Sequence, residues 1–250
     1  VEPPSDLIQS VSRALRVLEV VGEAPQGLPP KAVARRAGLH LSTTYHLLRT
    51  LEYEGYLVRT TDGDYRLGLA IARRFRDLQT ALDGRPATTA VLRRLSTVTG
   101  RSAYLARFVD GRIAITSVVE TAGSPHLEDL VPGFDEGAHA TALGKSLLST
   151  LARPRRRAYL REQGLRPFTG ATVCDPVALD HELGAAVTDR VYVEQGQYRH
   201  AVSCAAALVP TGDPDDPWWS VAVSASTPAF TRDRPALVRA LQVAAVDLAA

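Results

Sequence analysis

Apolar residues recur at helical spacing through the first third of the chain, then give way to runs that pattern as hairpin strands with returning helices. Ile8, Val11, Leu15 and Leu18 form one apolar face and predict a helix to about Val21, with Ser5 and Asp6 as candidate caps. Gly22 to Pro30 is turn-rich, and Pro30 suits the first turn of a second helix, where its missing N–H costs nothing. Ala34-Arg35-Arg36-Ala37 closes that helix, and Gly38 stands where a left-handed residue is wanted. Leu39 packs the turn, and Ser42 or Thr43 supplies a capping oxygen for a third helix. Along it Thr44, Leu47, Leu48 and Leu51 make an inward stripe.

After Gly55-Tyr56 the period changes. Leu57 to Thr60 and Tyr65-Arg66-Leu67 flank Asp62-Gly63, a strong hairpin signal. Leu69, Ala72, Phe75, Leu78 and Leu82 then mark a helix that links two domains, and Asp83-Gly84-Arg85-Pro86 breaks it. Beyond it a helix through Val91, Leu92, Leu95 and Val98 closes at Gly100. Ser102–Val109 and Arg112–Glu120 flank a second Asp-Gly turn, Asp110-Gly111. A small-residue helix (Ala140 to Leu148), helices from Pro154 to Gln163 and from Pro176 to Thr188, and strands at Val191–Val193, Ala201–Val209 and Trp218–Ser226 follow. A Pro/Asp-rich loop spans Asp213 to Pro217, and a helix from Thr231 to Ala249 turns Leu237, Leu241, Ala244 and Leu248 inward. The class is α+β: a winged helix-turn-helix at 1–68, a linker helix at 69–84, and at 85–250 a domain with a largely antiparallel sheet and flanking helices.

The outer side of the third helix carries the candidate chemistry. Ser42, Thr43, Tyr45, His46 and Arg49 fall opposite the apolar stripe, with donors and acceptors suited to base edges in a major groove. A polar helix face is more often merely solvated, but a basic hairpin directly after it makes the winged-helix pattern far more specific. Arg59 and Arg66 on that hairpin are expected near phosphates. The charge distribution agrees: eleven basic against eight acidic residues up to Arg76 carry the excess, in a chain of net charge +2.

Other chemistries find less support. Two cysteines, Cys174 and Cys204, make no disulfide framework, which points to a reducing cytoplasm. No apolar run approaches a membrane span and no signal-peptide pattern opens the chain, so no membrane association is expected. His126, His139, His181 and His200 lack metal-ligand spacing and suit surface or capping roles. Cys204 and His200, four apart on one strand, share a face without a third orienting group. No phosphate-binding glycine loop occurs. No metal, no cofactor and no catalysis are expected.

Three stretches carry a resemblance over nearly the whole chain: Ser10-Val11-Ser12-Arg13-Ala14-Leu15-Arg16-Val17-Leu18, then Gly38 to Tyr56 with the wing ending Tyr65-Arg66-Leu67-Gly68, then His139-Ala140-Thr141-Ala142-Leu143-Gly144-Lys145. In these the chain resembles the IclR family of bacterial transcription regulators. The resemblance implies a dimer or tetramer with a GAF-like domain that binds a small organic-acid-like effector, and a repressor acting at a palindromic DNA operator. It further implies an effector cavity lined by Ala140, Thr141, Ala142, Leu143 and Gly144, with Glu194, Cys204, Ser224 and Ser226. Small residues from Ala140 to Gly144 would let a ligand approach the backbone, and a helix amino terminus there favours a carboxylate. The chain departs from the family where Arg190, Glu194 and Gln197 replace a glycine, an aspartate and a glutamate, and where Ala201 and Leu208 replace a glycine and a proline. The alternative is a small-molecule-binding module or enzyme whose winged helix serves protein contact.

Overall fold

Helix α1 (Gln9–Gly22) buries Val17, Val20 and Val21 against α2 (Pro30–Ala37) and α3 (Leu41–Tyr53). Of the face the apolar spacing singled out, Leu18 packs against that core, half-buried, and the rest does not. Ile8, Val11 and Leu15 are 66%, 54% and 55% exposed, because the valine triad at the helix's carboxyl end contacts the core instead. Gly38 ends α2 in the left-handed conformation at φ 65°, as its position required. The Arg16 guanidinium reaches the Ala37 carbonyl at 3.5 Å, tying α1 to the carboxyl end of α2. Strands β1 (Leu57–Arg59) and β2 (Tyr65–Leu67) pair antiparallel, and Leu28 adds one bridge to Tyr65. Tyr65, 2% exposed, joins the hairpin to the core of the three helices.

The computed structural model describes residues 6–82, 86–125, 127, 130–132, 134, 136–185, 190–215 and 218–249. They divide into two compact units between Thr80 and Ala81. Ser5, the Asp83-Gly84-Arg85 break, His126 and the end of the Asp213 loop lie outside the described residues. Helix α4 (Leu69–Leu82) leaves Leu69, Phe75 and Leu78 exposed.

In the second unit five strands form one antiparallel sheet, ordered β4-β3-β7-β6-β5. They are β3 (Ser102–Val109), β4 (Arg112–Val119), β5 (Val191–Gln195), β6 (Val202–Pro210) and β7 (Trp218–Ser226). Asp110 and Gly111 both take positive φ, as a tight hairpin of matching twist demands. Period-two alternation splits the sheet's side chains between two cores. Ala103, Leu105, Ala205, Val221 and Val223 pack on α5 (Pro86–Thr99) and α9 (Thr227–Ala249). Tyr104, Ala106, Tyr192, Ala206 and Ala222 face the layer of α6 (Ala142–Thr150), α7 (Arg153–Gln163) and α8 (Pro176–Ala185). Helix α9 starts at Thr227, earlier than Thr231, and α6 starts at Ala142, later than Ala140.

Candidate functional site

The reading surface rests on a fixed inner row. Thr44 and Leu48 are fully buried, and the Thr44 hydroxyl donates back to the His40 carbonyl at 3.1 Å. Leu47 and Leu51 pack beside them, half-buried. On the other side Ser42, Tyr45, His46 and Arg49 are exposed, and Thr43 is half-buried at the edge. Neither Ser42 nor Thr43 caps the helix. The amide of Thr44 already bonds the His40 carbonyl, so α3 opens at Leu41 with His40 as its cap, and both hydroxyls lie inside the first turn. Neither oxygen is consumed by capping, which leaves both to the reading face.

The wing divides its two arginines. Arg59 pairs with Tyr65 and Arg66 with Val58, so the two side chains leave opposite faces of the hairpin. Arg66 Nε donates to the Gln26 carbonyl at 2.9 Å and fastens the wing to the α1–α2 connection. Arg59 is exposed, with its guanidinium beside Gly63 at the tip.

In the second unit, residues far apart in sequence form a single cross-strand row. Glu194 pairs with Cys204, Cys204 with Ser224, and Ser224 with Ser102. Ser226 follows two residues along the same face, half-buried. The row faces α6, with Tyr104 Oη and Ser224 Oγ 3.3 Å apart. Glu194 is 1% exposed and accepts from the Gln197 amide at 2.9 Å. Burial pushes its carboxyl up, while the Gln197 amide, the Cys204 thiol, the Tyr198 amide and the Lys145 charge pull it down. Burial, then the neighbouring Glu194 carboxylate, pushes the Cys204 thiol well above its ordinary range, so it stays a protonated donor.

Lys145, the last residue of the His139–Lys145 motif, takes an internal role that the motif alone does not state. It is 1% exposed, and its ammonium donates to Glu182 at 2.5 Å and to the Gln197 side-chain oxygen at 2.6 Å. Burial lowers its pKa, and the Glu182 partner opposes that shift. A signal was present: of 29 lysines and arginines only Lys31 and Lys145 are lysine. A slim ammonium stem fits a buried slot that a planar guanidinium would not.

Within Ala140–Gly144, Thr141 and Gly144 each make a contact with the protein's own chain. Thr141 caps α6 by accepting from the Gly144 amide at 3.1 Å. A Cβ at Gly144 would lie 2.1 Å from the Ala138 carbonyl oxygen, so the small residue at that position admits the preceding loop. Ala140, Ala142 and Leu143 are buried against the sheet. His139 is also buried, unlike a surface histidine. Its Nε2–H donates to the Arg166 carbonyl at 3.0 Å, and burial lowers its pKa. His200 precedes β6 rather than sharing a strand with Cys204, which removes the nucleophile-and-base geometry.

A polar-faced winged helix, followed by an antiparallel-sheet unit with a buried polar row, has the makeup of a DNA-binding transcription regulator with a second domain. Residues 10–61 match the IclR helix-turn-helix domain, and residues 80–250 match the bacterial transcriptional regulator IclR C-terminal domain. The chain belongs to the IclR family of transcription regulators. It is 30% identical over 207 residues to the HTH-type transcriptional regulator Rv1719 of Mycobacterium tuberculosis, covering 81% of this chain and 77% of that one. It is 25% identical over 238 residues to the transcriptional repressor IclR of Escherichia coli, covering 93% and 85%. Among solved structures, the IclR of Thermotoga maritima aligns with TM-score 0.75 at 20% identity, covering 97% of this chain and 98% of that one. An IclR homolog from Microbacterium hydrocarbonoxydans, complexed with 4-hydroxybenzoate, aligns with TM-score 0.76 at 21% identity, covering 96% and 97%. The curated relatives are transcription regulators, not enzymes. Among the described residues no helix is long and apolar enough to cross a membrane.

Proposed function

We propose that this protein is a cytoplasmic repressor that binds a palindromic operator as a dimer or a pair of dimers, and that a small organic-acid-like metabolite sets its affinity. The observation that carries the reading is the outer side of α3. Ser42, Tyr45, His46 and Arg49 are exposed together above Thr44 and Leu48, which are locked into the core. Thr43 borders that surface, and Arg59, with Arg66 behind it, supplies charge for the phosphates. The repressor sign follows relatives named as repressors, including the acetate operon repressor of Salmonella typhimurium. The exposed stripe of Ile8, Val11 and Leu15 supports a dimer, since a second copy would remove it from water.

The effector belongs to the domain we assign to 85–250, beyond a winged helix at 1–68 and a linker at 69–84. Glu194, Cys204, Ser224 and Ser226 make its polar floor, and Ala140, Thr141, Ala142, Leu143 and Gly144 its wall. With Glu194 already accepting from two backbone amides, a ligand hydroxyl or amide suits that floor better than a bare anion. The test is fluorescence anisotropy of purified protein on operator and scrambled duplexes across a salt series. Specific binding whose log–log salt slope reaches several units is expected from counterion release. A flat salt response, or equal affinity for both duplexes, contradicts the proposal.

A further inference from the structure

The outer side of α3 carries two rows, and only one of them is polar throughout. Ser42, His46 and Arg49 make the polar row. Beside it Leu41 and Tyr45, four residues apart and so on one flank of the helix, are 37% and 42% exposed. Scattered exposed leucines are ordinary on a protein surface, so place decides what this one means. Leu39, two residues earlier, packs against the core of the three helices. Leu41 stands outside that core, as the first residue of the reading helix. No aspartate or glutamate occurs from Gly38 to Arg49, so nothing in that stretch repels an anionic duplex from these side chains.

A leucine side chain has no hydrogen bond to offer. It answers neither a phosphate oxygen nor the donors and acceptors of a base edge. What the major groove presents to an apolar side chain is the 5-methyl group, which thymine alone among the four bases carries. The amino-terminal residues of a reading helix are the ones that reach base edges, and Leu41 opens α3.

We propose that Leu41, flanked by the Tyr45 ring, takes a thymine 5-methyl group and so makes one thymine in each half-site part of what the protein reads. The row climbs about 6 Å along the helix, less than two base-pair steps of about 3.4 Å, which confines the contact to neighbouring base pairs. The polar row reads hydrogen-bonding patterns, and the apolar row reads a methyl group that those side chains cannot sense. The inference rests on α3 being the reader, and it adds a specificity-determining residue to that reading.

The test starts from the duplex that the purified full chain selects out of a random-sequence pool. Each thymine is then replaced in turn by deoxyuridine, which lacks only the methyl group, and binding is followed by fluorescence anisotropy. One thymine per half-site should prove sensitive, each replacement there weakening binding by about fourfold, the worth of one buried methyl group. Leu41→Ala should bind the thymine and deoxyuridine duplexes alike at that position, within about twofold. Leu41→Met keeps the apolar reach and should retain the discrimination. Leu41 lies outside the core and alanine suits a helix, so Leu41→Ala should melt with the parent protein. A selected duplex on which no thymine is sensitive overturns the proposal. So does a sensitive thymine whose deficit persists in Leu41→Ala, since the methyl group is then read by another residue. A pool that yields no preferred sequence sinks the reading of α3 itself, and this inference with it.

Discussion

Arg190 and Ala201 hold left-handed backbone at φ 52° and 59°, two positions where IclR proteins commonly carry glycine. A side chain there crowds its own carbonyl and costs about 1–2 kcal/mol. Ala201 is held by its surroundings, since its carbonyl accepts from the Thr227 amide at 2.9 Å where α9 begins. Replacing it with glycine relieves the strain, against a smaller loss from the freer unfolded chain. Ala201→Gly should therefore raise stability by about 0.5–1 kcal/mol in urea unfolding; a loss of stability would show that the turn is not strained. Lys145 gives an asymmetric prediction. Glu182→Gln leaves the buried ammonium without its carboxylate and should cost about 2–3 kcal/mol, reduced somewhat because Glu182 is 32% exposed. Lys145→Met removes the buried charge itself and leaves Glu182 to water, at about 1 kcal/mol or less. Unfolding titrations that rank the two the other way would contradict this account of the pair. In the sequence Lys145 stood out as the end of the His139–Lys145 motif and as a lysine among arginines, but its partners on α8 and after β5 lie 37 and 52 residues away.

At the scale of elements, periodicity read α3 well and α1 poorly. In α3 one apolar stripe meets one core, so spacing alone sorted Thr44 and Leu48 from Tyr45, His46 and Arg49. Helix α1 carries two apolar faces, and spacing cannot say which one the core takes. Caps failed for a local reason: a helix can start on an extended residue with no side-chain cap, as His40 does. The hairpins were legible because Asp-Gly turns state their own geometry. Pairing register then separated Arg59 from Arg66, which residue type alone had grouped. The reader and the wing should fail differently. Arg49→Ala should relax base preference at one position of each half-site by about 1–3 kcal/mol, as a lost base-edge contact does. Arg59→Ala should weaken all duplexes alike and lower the salt slope by about one. Binding-site selection on both variants checks this, and an interchange of the two profiles would contradict it.

At the scale of the molecule, the fold class was legible: a winged helix first, then an antiparallel sheet with helices against it. The polar row was not legible from spacing. Glu194, Cys204 and Ser224 sit on three strands, and only strand register aligns them, so the family resemblance had to name them first. Spacing could not show that Gly144 admits the protein's own Ala138 loop, because close approach of one's own backbone and of a ligand demand the same small residue. The central claim is that two copies read one duplex through α3. Its most direct measurement is a protection footprint of the purified protein on the DNA flanking its own gene. The account predicts one protected, palindromic region with half-sites about one helical turn, roughly 34 Å, apart. A single protected half-site, or protection spread evenly along the DNA, would contradict it.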